Sequence, residues 1–141
     1  MAYSAATDKN QNLLVAGRFY DFREETGSEF WVRSISPSGS TKWNKTYDRV
    51  RKHDKVNSIV RMADDKIYLV GLTANTENDD DIWILQLNSS GNKVKEIIFG
   101  TNQNEREPHA GISNNGKLLI FGSKGYDDGT QADDFLIKIK P

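Results

Sequence analysis

The chain has no cysteine. That leaves the redox compartment open, since a reduced cytosolic protein and an exported one without disulfides both fit. No apolar run approaches about 18 residues, so no membrane-spanning helix is expected. The opening residues, MAYSAATDKN, lack the basic segment and apolar stretch of a secretory leader, which favours the cytoplasm. No excess of one charge exists either: the net charge is −1 at pH 7. Neither nucleic acid nor an anionic membrane is expected as a partner. No nucleophilic serine or cysteine motif is present, and two histidines are too few for a three-histidine metal site. The apolar fraction is low, at 36%, yet its residues fall in compact runs separated by turns, as in a folded domain. At 141 residues one ordinary core is within reach.

What the chain does have is an internal repeat. Trp31, Trp83 and Phe135 are spaced 52 residues apart, and Gly39 and Gly91 keep the same interval. Gly17, Gly71 and Gly122 mark a matching point ahead of each aromatic. The units run approximately over 1–52, 53–104 and 105–141. In the first, strands are expected at Tyr3 to Thr7, Asn12 to Gly17, Glu29 to Ser36 and Lys42 to Tyr47. The second reads NSIVRM, KIYLVG, DIWILQLN and KVKEIIFG; the third reads HAGIS, KLLIFG and DFLIKIK. The ADDK and NNGK segments suit hairpins before the second strands, and PSG and SSG suit hairpins before the fourth.

In the third strands Trp31, Trp83 and Phe135 share one face, while Val32, Ile84 and Leu136 share the other. Both sets are apolar, so these strands want cover on both sides. The glycines fit a crowded bend. Lys42, Lys45, Lys93, Lys95 and Glu96 fit outer edge strands, where charge deters stray pairing. A repeat of this length built from short strands predicts an all-β fold of β-propeller blades, three per chain. A β-sandwich with accidental spacing is the competing architecture.

The landmarks Asp54, Ile59, YLVG ending at Gly71, Asp81-Ile82-Trp83, Gly91, and Trp43 with Tyr47 resemble a broad class of bacterial propeller repeats. Phe135 stands for the tryptophan in the third unit, Val94 takes the Trp43 position in the second, and Glu105 and Glu107 lie near the Asp54 position. The resemblance implies an architecture rather than an activity. Three blades do not close a ring, which takes roughly four to eight. The open flanks, expected to include Leu14, Ile120 and Leu136, predict a two-fold dimer with six blades. Completion by further segments or another protein is the rival.

Strand parity puts the loops between second and third strands on one rim with the connections between units. This rim is acidic in every unit. It carries the candidate ligand-binding residues Tyr20, His53, Asp79, Asp81, His109, Tyr126 and Asp127. Solvated charge competes there with calcium held by the acidic loops, which lack the twelve-residue EF-hand spacing, and with acid–base chemistry by His53 and Asp54, which no nucleophilic Ser or Cys motif accompanies. No cofactor or metal is expected, and no catalytic residue is assigned. The reading that follows is a non-enzymatic protein-binding or scaffolding module. A carbohydrate-binding propeller using Tyr20 or Tyr126, and an enzyme with its site on the long-loop rim, are the alternatives.

Overall fold

The computed structural model describes residues 1–20, 27–49, 53–75, 79–125 and 132–140. Among the described residues eleven antiparallel strands form three sheets. Sheet 1 holds β1 (Ala2–Thr7), β2 (Leu13–Tyr20), β3 (Ser28–Ile35) and β4 (Thr41–Tyr47). Sheet 2 holds β5 (Lys55–Arg61), β6 (Ile67–Ala74), β7 (Asp80–Leu87) and β8 (Lys93–Phe99). Sheet 3 holds β9 (Asn104–Ile112), β10 (Leu118–Gly125) and β11 (Asp133–Ile139). Each sheet is an up-and-down meander in sequence order, and none closes on itself.

One turn geometry makes five of the hairpins. In Asp8–Asn12, Ser36–Ser40, Met62–Lys66, Asn88–Asn92 and Ser113–Lys117 the first amide donates to the fifth carbonyl. The fourth amide donates back to the first carbonyl. The fourth residue must then turn left-handed. Glycine fills it at Gly39, Gly91 and Gly116, while Gln11 and Asp65 accept it at φ 61° and 63°. This is the three-residue hairpin that matches strand twist. Polar first residues reinforce it: Asp8 Oδ1 accepts from the Asn10 and Asn12 amides, and Asn88 Oδ1 from those of Ser90 and Asn92.

The repeat is a repeat of register. Gly17 pairs with Trp31, Gly71 with Trp83 and Gly122 with Phe135. On its other side each glycine lies at a bulge of the inner strand, between Ala2 and Ser4, Val56 and Ser58, and opposite residues 107–108. An extra residue there pushes the backbone over the glycine. A Cβ on Gly71 would run into the Lys55 carbonyl and come within 2.8 Å of the Phe30 ring.

Burial follows the stacking order. Between sheets 1 and 2 lie Leu14, Ala16, Phe30, Val32, Ile67, Leu69, Trp83, Leu85 and Leu87. Between sheets 2 and 3 lie Tyr68, Val70, Ile82, Ile84, Leu118 and Ile120, with Phe135, Ile137 and Ile139 packed on them. Alternate residues of β6 and β7 thus serve opposite cores, and every β6 residue but the last is buried. Among the described residues only the middle sheet packs on both faces. Trp83 is fully buried, 4.4 Å from Phe30 between ring centroids. Trp31, on the matching face of the outermost sheet, is half-buried, as is Phe135.

Several sequence expectations shift. Leu14 and Ile120 do not lie on open flanks; both are fully buried against sheet 2. Their alternates Leu13 and Phe121 stand outside, together with Leu136 at 69% exposure. The counterpart of Trp43 is Lys95 rather than Val94. Trp43 pairs with Ser34 and Lys95 with Gln86, so the 52-residue interval holds along the fourth strands too. β9 begins five residues before HAGIS, at Asn104. As expected, β4 and β8 are the outer edges of their sheets.

Candidate functional site

The described candidate residues do not form one site. Tyr20 ends β2, exposed, beside exposed Phe19. Arg18, Phe19, Tyr20 and Met1 line an open hollow of about 520 Å³. Exposed His53 leads into β5 next to buried Asp54. Asp79 is tied to Asn75, its amide donating to Asn75 Oδ1 at 3.2 Å and its carbonyl accepting from the Asn75 amide at 2.8 Å. Asp81 accepts from Asn75 Nδ2 at 3.4 Å and crowds Gly100, where a Cβ would meet its carboxylate. These two acids thus both bind Asn75. Tyr126 and Asp127 lie outside the described residues. Among the described residues no group of three acidic or histidine side chains converges to hold a metal ion.

His109 is not on the rim. It sits within β9, opposite Phe121, and its ring stacks on that phenylalanine with centroids 5.7 Å apart. Phe121 pairs in turn with Leu136. His109, Phe121 and Leu136 therefore make a row across three strands on the outward face of sheet 3. The earlier start of β9 is the reason: it carries His109 away from the connection and into the sheet.

Sequence reasoning marked Asp54 and Glu105 as repeat positions but missed that both are buried. Asp54 and Glu105 have no exposed surface. They occupy matching places, each just ahead of the inner-strand bulge. Asp54 Oδ2 accepts from the Arg49 amide at 3.3 Å, while Asp54 Oδ1 and Thr73 Oγ1 are buried without a well-formed hydrogen bond. Burial raises the Asp54 pKa to about 6; Thr73 and the Arg49 amide offset only part of that. Glu105 Oε1 accepts from the amide and hydroxyl of Thr101, at 3.1 and 2.7 Å. Its pKa is also raised, by burial first and then by the charges of Asp81 and Asp79. The glycines separate the positions: Glu105 keeps to Gly122 the interval that Asp54 keeps to Gly71, which Glu107 does not. Both acids tie chain entries in place. The Asp54 amide donates to the Ser28 carbonyl at 2.8 Å, and Ser28 Oγ to the Asp54 carbonyl at 3.0 Å, linking sheets 1 and 2.

The best-built contact between sheets is on the opposite rim. Along β4, Trp43, Lys45 and Tyr47 point the same way. Trp43 Nε1 donates to Ser89 O at 3.2 Å, Lys45 Nζ to Ser90 O at 2.9 Å, and Tyr47 Oη to Gly91 O at 2.7 Å. The edge strand of sheet 1 thereby grips the Asn88–Asn92 turn of sheet 2. Backbone carbonyls accept all three; Lys45 Nζ also donates to Asn92 Oδ1 at 2.5 Å, and the Trp43 ring packs on Gly91, so the grip uses both the shape and the residues of the turn. At the second junction Lys95, Ile97 and Phe99 take those places. Phe99 packs 6.4 Å from Phe135, and a cavity of about 30 Å³ remains beside Lys95 and Ile97.

No family model matches the chain, and no curated protein matches it at a significant level. Its class therefore rests on the architecture alone: an all-β repeat protein of stacked antiparallel sheets.

Proposed function

We propose that the three sheets are blades of a β-propeller, and that the chain is a non-enzymatic protein-binding or scaffolding module whose first partner is a second copy of itself. One observation carries the reading. Positions that are buried on β6 and β7 of sheet 2, Ile67, Val70, Thr73 and Ile84, stand open at their counterparts on sheets 1 and 3. Leu13, Phe19, Phe121 and Leu136 are 41%, 43%, 50% and 69% exposed. Apolar faces of this kind mark interfaces. The meander order, the glycine-and-bulge inner strands and the lysine-bearing outer edges support blades rather than a sandwich, because each sheet stacks on its neighbour by the same faces. Two copies related by a two-fold axis place sheet 3 of each against sheet 1 of the other, giving a ring of six. The rim with Tyr20, His53, Asp79 and Asp81 is then left for other partners.

Sedimentation equilibrium at micromolar concentration tests the ring. The expected mass is twice 15.9 kDa; a stable soluble monomer overturns the dimer. Alanine scanning of both rims tests the second part, with loss of partner binding expected at Tyr20 and His53 and not at the Ser36–Ser40 or Asn88–Asn92 turns. Exposed Phe19 and Tyr20 beside the hollow favour a second reading, carbohydrate binding by stacking. Glycan retention abolished by Tyr20→Ala would establish that reading in place of the first.

A further inference from the structure

We propose that Arg33 of one copy pairs with Asp134 of the other at both junctions of the ring; this rests on the dimer reading above. The first internal junction supplies the template. There Phe30, on the face of sheet 1 turned to the next sheet, packs on Trp83, on the face of sheet 2 turned back, at 4.4 Å between centroids. By register, Trp31 of sheet 1 is the counterpart of Trp83, since each pairs with the bulge glycine. Asp134 of sheet 3 is the counterpart of Phe30: it immediately precedes Phe135, as Phe30 precedes Trp31, and it pairs with Ser123 next to Gly122 as Phe30 pairs with Arg18 next to Gly17. Seating sheet 3 of one copy on sheet 1 of the other therefore brings Asp134 to the Trp31 indole.

The Trp31 indole already carries a cation. The Arg33 guanidinium lies over it, 5.4 Å from the ring centroid, with Nε donating to Asn44 Oδ1 at 3.5 Å. The two internal junctions put apolar side chains at these positions. Leu85 stands where Arg33 does, and Phe30 and Ile82 stand where Asp134 does, all buried. The charges thus occur on the two open faces and with opposite sign, next to Leu13, Phe121 and Leu136, which supply the apolar contact. Opposite charges set in complementary apolar faces fix register and exclude wrong pairings. A charge pair is also the arrangement that keeps two open faces soluble before they meet.

Two-fold symmetry makes the test sharp. In Arg33→Glu both junctions set two carboxylates against each other; in Asp134→Arg both set two guanidinium groups together. Each variant alone is expected to dissociate, with the dimer constant weakened about 100-fold over its two broken junctions. In an equimolar mixture every junction of the mixed dimer carries like charges at neither end: one junction is native, and the other holds the same pair reversed. The mixture is therefore expected to return to the dimer mass when neither variant does so alone. Misfolded variants would not recover on mixing. If either variant alone stays dimeric, or the mixture stays monomeric while the unaltered protein is a dimer, the pair is wrong and the dimer reading stands. If the unaltered protein is itself monomeric, the dimer reading fails and the pair with it.

Discussion

The Trp43 ring lies against Gly91, so close that a Cβ on the glycine would come within 2.9 Å of it. Gly39 occupies the same place in the equivalent turn of sheet 1, at φ 88° against 73°, with nothing within 4 Å. The pair separates two costs. Gly39→Ala should lose only the left-handed backbone preference, about 1 kcal/mol. Gly91→Ala should lose that and the Trp43 contact, about 2–3 kcal/mol in all. Urea titrations of both variants read the difference directly; equal losses would mean that the tryptophan does not hold the turn.

Trp83→Ala removes the largest fully buried side chain and should cost about 3–5 kcal/mol. Trp83→Phe should cost clearly less. It keeps most of the packing on Phe30, and the Glu96 carboxylate that accepts from Trp83 Nε1 at 3.1 Å stays in reach of water and Lys93. Thermal or urea melts of the two variants check the order.

Gly71→Ala should fail to fold or lose more than about 3 kcal/mol, because the new methyl meets the Lys55 carbonyl, which the bulge fixes in place. Gly111→Ala, with open space around it and an ordinary backbone, should stay within about 0.5 kcal/mol. Circular dichroism and soluble yield distinguish them.

Asp54 has a raised pKa in the fold, about 6 against an ordinary 3.8. The folded state therefore holds this proton more tightly than the unfolded chain. Its contribution favours folding at low pH and is lost as pH rises from about 4 to about 6. Asp54→Asn, which cannot ionise, should flatten the stability profile across that window and should be at least as stable as the natural protein at pH 7. Urea midpoints at pH 4.5, 5.5 and 7 make the comparison. A natural profile that rises across this range with an unchanged slope in Asp54→Asn would contradict it.

The aromatic-and-glycine spacing made the sheets legible because it reports a strict pairing: a bulge glycine opposite a large ring recurs only where backbone geometry recurs. Which apolar residues face outward was not legible. Leu13 and Leu14 are adjacent and equally apolar, so alternation cannot say which of them meets sheet 2. The Trp43 position was misassigned to Val94 although the interval leads to Lys95, which pairs with Gln86 as Trp43 pairs with Ser34. His109 was misplaced because Pro108 and Glu107 look like a connection, whereas residues 107–108 are the bulge that lets β9 start early. The buried acids were in view as charges in polar segments; nothing local announces that Asp54 and Glu105 turn inward. The rim residues were placed by parity, which needs only alternating strand direction, and Tyr20, His53 and Asp79 stand at the strand ends that parity assigns.

A sheet covered on both faces between two sheets covered on one has a kinetic consequence. Opening sheet 1 or sheet 3 uncovers one core, whereas opening sheet 2 uncovers both. Amide hydrogens of β6 and β7 should therefore exchange only through global unfolding, and those of β1 and of β11 through cheaper partial openings. In the ring proposed above every sheet becomes a middle sheet, and that gradient of exchange rates should level out as the protein concentration is raised.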